Sequence, residues 1–320
     1  VSQRSRLVPP RPELLALPGG RTLEVRGMAP GDAPGILALY ESLDDDDRYR
    51  RFFSGFHPTL VFVDHWVDQC RGKGVGLVAV EHDASSSQLV AEAGYVLVGN
   101  GDGEFAVTVA PHRRGWLGPY LLERLAEEAA ERGVPNLEAD ILTTNRPMLM
   151  VVRQRGMVAT GDSDMQSVHV RTGTTGATAT WPPSARRPRL VVESRSLWWR
   201  AARELTKAGL DVVSCPAGGD GRPACPLDEG RPCPLVAEAE AVVVALPADT
   251  DRTRHLLDGH ARLHPHVDVL VDAGAQRFAA AAAYPSTASD VAEEVCRLLP
   301  TVVVVQRGDP EAQPARRSST

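Results

Sequence analysis

Residues 104–157 leave a chain little freedom of fold, because two hydrophobic periods alternate there with strong punctuation between them. Glu104–Val109 (Glu-Phe-Ala-Val-Thr-Val) has the aromatic and β-branched content of a strand. Ala110 to Gly118 is a turn rich in arginine and glycine. Pro119 to Arg132 then places Leu122, Leu125, Ala126 and Ala129 on one helical face and Glu123, Glu127, Glu128 and Glu131 toward water, with Gly133 to end it. Leu137, Ala139 and Ile141 alternate with Glu138 and Asp140, which predicts the next strand. Asn145 is placed to cap a short helix with Pro147 in its first turn and Gly156 at its far end. A strand that passes through a turn into a helix N-terminus presents free backbone N–H groups and a partial positive charge to an anion.

Upstream of that stretch the pattern is that of a mixed sheet. Residues 1–20 are Pro- and Arg-rich without periodicity and are expected to form a disordered tail. A strand is predicted at Thr22 to Arg26, and a helix capped by Asp32 with Ile36, Leu39, Tyr40 and Leu43 on its apolar side. Asp44 to Asp47 reads as a solvated helix end or loop, and Val63 to Cys70 as a second helix. Val75 to Glu81 and Leu89 to Val98 read as strands joined by Asp83-Ala-Ser-Ser-Ser87, and Gly99-Asn-Gly-Asp-Gly103 is a hairpin signal leading into the Glu104 strand. Three antiparallel strands are therefore expected at the centre of a first domain, residues 21–180.

Thr180-Trp-Pro-Pro-Ser-Ala-Arg-Arg-Pro188 breaks both periodicities, and 181–188 is read as a linker. Beyond it, Leu190–Glu193, Val212–Cys215, Val242–Leu246 and Val269–Asp272 are short apolar runs separated by helical or loop segments, with helices predicted at Ser196–Ala208 and Ser289–Leu299. Buried parallel strands with crossover helices fit this pattern, so residues 189–306 are expected to form a small flavodoxin-like or Rossmann-like domain, followed by a disordered tail at 307–320. The chain as a whole is thus of the α/β class. With 320 residues, two domains are the prior.

Composition removes several function classes. A net charge of −6 argues against a nucleic-acid partner, which needs a basic face for phosphates. No apolar run approaches the ~20 residues of a membrane helix, and the first twenty residues lack a signal peptide's hydrophobic segment, so a cytoplasmic location without a membrane partner is expected. Five cysteines in that setting are expected to be reduced thiols. Cys215, Cys225 and Cys233 form no Cys-x-x-Cys pair, and no metal site is assigned to them. His255, His260, His264 and His266 are read as surface or cap residues. In the second half, Glu193-Ser-Arg and Ala245-Leu-Pro lack the acidic residues of a phosphate-accepting receiver, and no Gly-x-Gly-x-x-Gly follows Val192 for a dinucleotide. A regulatory or interaction module is what remains.

The first half, from Thr22 to about Thr172, resembles the GNAT family of acetyl-CoA-dependent N-acyltransferases, and within it the bacterial protein-lysine acetyltransferase branch. Arg48-Tyr-Arg-Arg-Phe-Phe-Ser54 is similar to that branch's substrate-side segment, Glu104–Val109 to its acidic β-strand, and Asn145-Arg-Pro-Met-Leu-Met-Val-Val-Arg-Gln-Arg-Gly-Met157 to its Asn-x-x-Met helix. The resemblance implies a GNAT fold of mixed α+β type with a largely antiparallel sheet, acetyl-CoA or another acyl-CoA as co-substrate, and an amine acceptor, either a protein lysine or a small molecule. It implies Glu104 as the general base, with partial burial raising its proton affinity. Backbone N–H groups near Val107 or Val109 would face the oxyanion, and Asn145 would contact coenzyme A.

The pyrophosphate loop of the family, Gln/Arg-x-x-Gly-x-Gly/Ala, maps onto Arg113-Arg-Gly-Trp-Leu-Gly118. Two registers are open. Either Trp116 stands where the central glycine belongs, with Arg113 and Arg114 offsetting the loss by charge-assisted contacts, or the loop is one residue shorter and Gly115 takes the glycine role. Cofactor contacts are accordingly assigned to Arg113, Arg114, Gly115, Leu117, Gly118, Val107, Val109 and Asn145. The alternative function is a non-catalytic protein of the same fold that senses acyl-CoA or mediates an interaction.

Overall fold

The computed structural model describes residues 9–83, 85–160, 166–175, 181, 188–194, 201–216, 225–247, 250–272, 290–299, 302–306 and 308. It divides into two compact units, residues 1–145 and 146–320.

The first unit runs β1 (Glu13–Ala16), β2 (Thr22–Gly27), α1 (Ala33–Glu41), α2 (Asp45–Phe52), α3 (Leu60–Lys73), β3 (Gly74–His82), β4 (Ser87–Leu97), β5 (Gly103–Val109), α4 (Leu117–Glu131) and β6 (Asn136–Leu142). Its strands lie in chain order, β1 to β6. The three central strands are antiparallel as expected: Leu77 pairs with Ala93, and Ala93 with Val107. Ile36, Tyr40, Val63, Val67 and Cys70 from α1 and α3 pack on the Val78 face. Helix α4 covers the other face with Leu121, Leu122, Leu125 and Ala126 fully buried.

The expected tail at 1–20 needs correction. Glu13–Ala16 pairs antiparallel with Thr22–Val25, and the chain reverses through Gly19 and Gly20, both at positive φ. A short apolar run, Leu14 to Leu17, followed by Pro18-Gly19-Gly20 and the Thr22 strand is a hairpin pattern. The acidic run is also more than a solvated end. Asp44 caps α2 by accepting from Asp47 N–H at 2.7 Å, and the acids fill the first turn while Arg50 and Arg51 fill the last, complementing the helix dipole.

The second unit contains α5 (Arg146–Gln154), β7 (Val158–Thr160), β8 (Ser167–Gly173), β9 (Arg189–Ser194), α6 (Ala202–Lys207), β10 (Asp211–Cys215), α7 (Pro234–Ala237), β11 (Ala241–Ala245), α8 (Asp251–Leu263), β12 (Asp268–Asp272), α9 (Asp290–Leu298) and β13 (Val302–Gln306). Its strand order is β8-β7-β10-β9-β11-β12-β13. The four strands expected to be parallel are so: β9 lies between β10 and β11, and β12 follows β11. Alternate residues of these strands feed two cores. Val191, Val213, Val242 and Val269 join Leu235, Val236 and Leu256 on one face, while Leu190, Val192, Val212 and Val243 join Leu205, Ala292 and Val295 on the other.

The unit boundary does not fall at 181–188. Strand β7 pairs antiparallel with β10 (Val213 opposite Thr160, Ser214 opposite Ala159), so the segment after Asn145 belongs to the second unit. Trp181, read as part of the linker, is buried: its indole N–H donates to Leu235 O at 2.8 Å and Arg189 stacks 5.3 Å from its ring centre. Residues 182–187 lie outside the described residues, as do 1–8 and 309–320 of the expected tails.

Candidate active site

Strand β5 is where the candidate residues meet. Ala110 N–H donates to Val90 O at 2.8 Å, so by strand alternation Thr108 and Ala106 face β4, and Val107 and Val109 turn their N–H groups to the opposite edge. On that edge the parallel pairing with β6 is confined to Gly103 opposite Leu137 and Glu104 opposite Glu138. The strands then diverge, and the Val107 and Val109 donors face the gap. Because β5 and β6 are parallel, their C-terminal ends share one end of the sheet. The loop after Val109 and Asn145 after Leu142 both lie there, and α5 begins directly after Asn145.

Glu104 marks the start of the divergence. Its side chain is exposed rather than partly buried, because it stands in the first pair after the Gly99–Gly103 hairpin. Strand alternation puts it on the same sheet face as Thr108, the face that α2 approaches through Arg51.

The loop places Gly115 and Trp116 in different backbone conformations. Gly115 has φ +105°, a conformation that favours glycine, and space for a side chain is open around it. Trp116 is ordinary backbone at φ −105°, immediately before α4, with its ring 42% exposed and resting on Tyr120 at 6.1 Å. Gly115 is thus the glycine at the turn's positive φ, and Trp116 opens α4 with its side chain partly exposed. The N–H groups of Trp116, Leu117 and Gly118 precede the first closed helical bond, Tyr120 N–H to Trp116 O at 3.1 Å, and Pro119 has no N–H. At Gly118 only the Val109 side chain, 3.8 Å from an added Cβ, comes near. The glycine turn and the helix N-terminus thus present free backbone N–H groups of the kind that receive an anion.

Both loop arginines are occupied by carboxylates. Arg113 places its fork on Glu81 of β3, Nε to Oε2 at 2.6 Å and Nη2 to Oε1 at 2.5 Å, and Arg21 reaches the same carboxylate at 2.9 Å. Arg113, the main cause, and Arg21 hold Glu81 below the usual carboxylate range. Arg114 Nη2 donates to Asp47 Oδ2 of α2 at 2.5 Å.

A buried polar network behind β5 contains residues that the sequence reading did not single out. Glu92 on β4 is fully buried and accepts from Tyr40 OH at 2.9 Å, Thr108 Oγ1 at 2.8 Å and Trp66 Nε1 at 3.2 Å. Arg51 lies 3.5 Å from the same carboxylate, donates to Thr108 Oγ1 at 3.0 Å, and sits among the rings of Tyr40, Phe52 and Trp66. Burial first, then the Glu92 charge, raises the Tyr40 phenol well above its ordinary value. Glu92 was legible as a lone charge within the apolar Leu89–Val98 run, which requires a buried partner.

In the second unit, His260 and His264 are fully buried, so neither is a surface residue, although His264 is the C-cap of α8 in keeping with the cap reading; His255 and His266 are not buried. His260 Nε2 lies 3.1 Å from Glu193 Oε2 without the alignment of a hydrogen bond, and His264 Nε2 accepts from Cys233 N–H at 3.0 Å. Burial first, then His260 and His266, lowers the His264 imidazole to about 4. Burial, as the main cause, raises the Cys225 and Cys233 thiols, Cys233 to about 12, which is opposite to an activated thiolate. Among the described residues no group of three or more His, Cys, Asp or Glu side chains is arranged to hold a metal ion. Nor is any described helix long and apolar enough to cross a membrane.

No family model matches the chain, and no curated protein does. Among solved structures, about half of the chain is similar to GNAT acetyltransferases. The GNAT domain of PAT from S. lividans is 24% identical, with 51% of this chain and 96% of that one covered and a TM-score of 0.44. Ribosomal-protein-alanine N-acetyltransferase from Brucella melitensis is 23% identical over 46% of this chain and 97% of that one, with a TM-score of 0.37. YncA from Salmonella typhimurium, solved with its cofactor acetyl-CoA, is 16% identical over 51% and 99%, with a TM-score of 0.40.

Proposed function

We propose that the first unit is an N-acyltransferase that moves an acetyl or related acyl group from acyl-CoA to an amine, a protein lysine or a small molecule. One observation carries this reading: β5 diverges from β6 immediately after Glu104, so a carboxylate, two strand N–H donors and a glycine turn leading into a helix N-terminus follow one another along a single open edge. That succession matches the demands of the reaction. A protonated alkylamine is not nucleophilic, and an exposed carboxylate can take its proton directly or through water. Strand donors stabilise developing negative charge on an acyl oxygen, and the helix N-terminus with Gly115 receives the diphosphate.

When bound, acyl-CoA supplies the activated thioester. Val107, Val109, Gly115, Leu117, Gly118, Arg114 and Asn145 are the residues that would hold it, and Glu104 would serve the acceptor. The Gly115 turn supports retained cofactor binding, because the loop keeps a glycine at positive φ ahead of α4. We read the second unit, with its parallel strands filled on both faces, as a Rossmann-like or flavodoxin-like regulatory module.

Glu104→Gln tests the assignment. The variant is expected to keep acetyl-CoA affinity while acyl transfer to a lysine peptide slows by ~10², the usual contribution of a positioned base. Partial recovery at higher pH is expected, because more acceptor amine is then neutral. Unchanged turnover with an unchanged pH profile would reduce Glu104 to the end of a hairpin.

A further inference from the structure

The two loop arginines differ in how firmly they are held. Arg113 has both fork atoms on Glu81, shares that carboxylate with Arg21, and is largely buried. It is a buttress that fixes the loop to β3. Arg114 makes one contact, to Asp47, and its guanidinium side chain is 43% exposed. Asp47 itself is nearly buried and also accepts from Arg50 Nη1 at 2.9 Å within α2. The carboxylate on Arg114 is therefore attached to the acceptor-side helix, whereas the arginine belongs to the loop that precedes Gly115 and α4.

We propose that the Asp47–Arg114 ion pair is a latch: Asp47 stands in for a phosphate on Arg114, and the phosphates of coenzyme A displace it and free the first turn of α2. This rests on the acyl-CoA reading of the loop and extends it to the contact that the phosphates displace. An arginine shifts readily from a carboxylate to a phosphate group, which offers more acceptor oxygens and more charge. Once displaced, Asp47 retains Arg50 as its partner, so the exchange strands no buried charge. The consequence reaches the acceptor side. The same short helix carries exposed Tyr49 and, at its C-terminal end, Arg51 in the Glu92 network, while Phe53 closes it in a left-handed conformation at φ +58°. Displacement of the pair by the cofactor then frees α2 from the loop that precedes Gly115.

The test is calorimetric titration of the full chain with coenzyme A. Asp47→Asn removes the competing charge, and affinity is expected to rise by ~5-fold, the equivalent of a partly exposed ion pair at the upper end of its usual strength. Arg114→Gln is expected to weaken binding, and Asp47→Asn on that background to add nothing, since the competition has lost its object. In the wild-type chain, amide hydrogen exchange over residues 45–53 is expected to speed up when coenzyme A is added, a readout that needs no variant to fold. Equal affinities for the wild type and Asp47→Asn, an Asp47→Asn effect that persists without Arg114, or exchange over 45–53 that stays the same or slows would each overturn the latch and leave the acyl-CoA reading standing. Absence of coenzyme A binding in both the wild type and Asp47→Asn would overturn the two together.

Discussion

Replacing Glu92 by leucine isolates the buried network behind β5. The carboxylate is fully buried and serves Tyr40, Thr108 and Trp66 as acceptor, with Arg51 as its counter-charge. Leucine is close in volume, so packing changes little, but a guanidinium and three donors lose their partner. Breaking a buried ion pair on one side typically costs about 3–5 kcal/mol, since the remaining charge is left without compensation. The Arg51 side chain keeps 17% of its exposure, which puts the expected loss at the lower end of that range, about 3 kcal/mol. For a domain of this size, that corresponds to a midpoint lowered by roughly 6–12 °C. Differential scanning calorimetry reads it. Glu92→Gln, which keeps an acceptor oxygen, should fall less, and Arg51→Met combined with Glu92→Leu should recover most of the loss, because an apolar pair leaves no stranded charge. If Glu92→Leu melts within a degree of the wild type, or the double variant is no more stable than Glu92→Leu alone, the network contributes nothing and the reasoning fails.

Gly115→Val should sharply weaken acetyl-CoA binding, since a β-branched residue is strained at φ +105°, whereas Trp116→Gly should leave it unchanged within the error of titration. The reverse pattern would restore Trp116 to the glycine position. The second unit should be acid-sensitive. The His264 imidazole is held at about 4 in the folded chain against an ordinary value near 6.5, so the unfolded chain takes up a proton first. Stability present above pH 6.5 is then lost as pH falls toward 4, by up to about 3 kcal/mol. Urea denaturation across that range checks this, and His264→Gln should flatten the profile; a wild-type profile already flat would contradict it.

Local grammar carried much of the first unit. The Gly99–Gly103 hairpin placed β4 against β5, and the apolar stripe of α4 put that helix on one face with its N-terminus at the loop. Two further signals are equally local: Pro18-Gly19-Gly20 closes a hairpin, and Asp44, in the acidic run expected to be a helix end, caps a helix with arginines in its last turn. The buried positions of α8 follow helical spacing, with Thr253, Leu256 and His260 on one stripe, so the burial of His260 was legible from its place in the pattern. The ion pairs were not. Arg113 and Glu81 are 32 residues apart, and Arg114 and Asp47 are 67 apart, and no period in the sequence links such positions. The divergence of β5 from β6 is similarly a property of how two strands are held, which neither strand's own residues specify.

The function proposed for the first unit requires that the gap beyond Glu104 hold an acyl-CoA. Isothermal titration of the full chain with acetyl-CoA measures this directly. Saturable binding of one molecule per chain is predicted, lost in Gly115→Val and retained in Glu104→Gln. A titration of the wild-type chain with no heat of binding at any accessible concentration, confirmed by equilibrium dialysis, would contradict it.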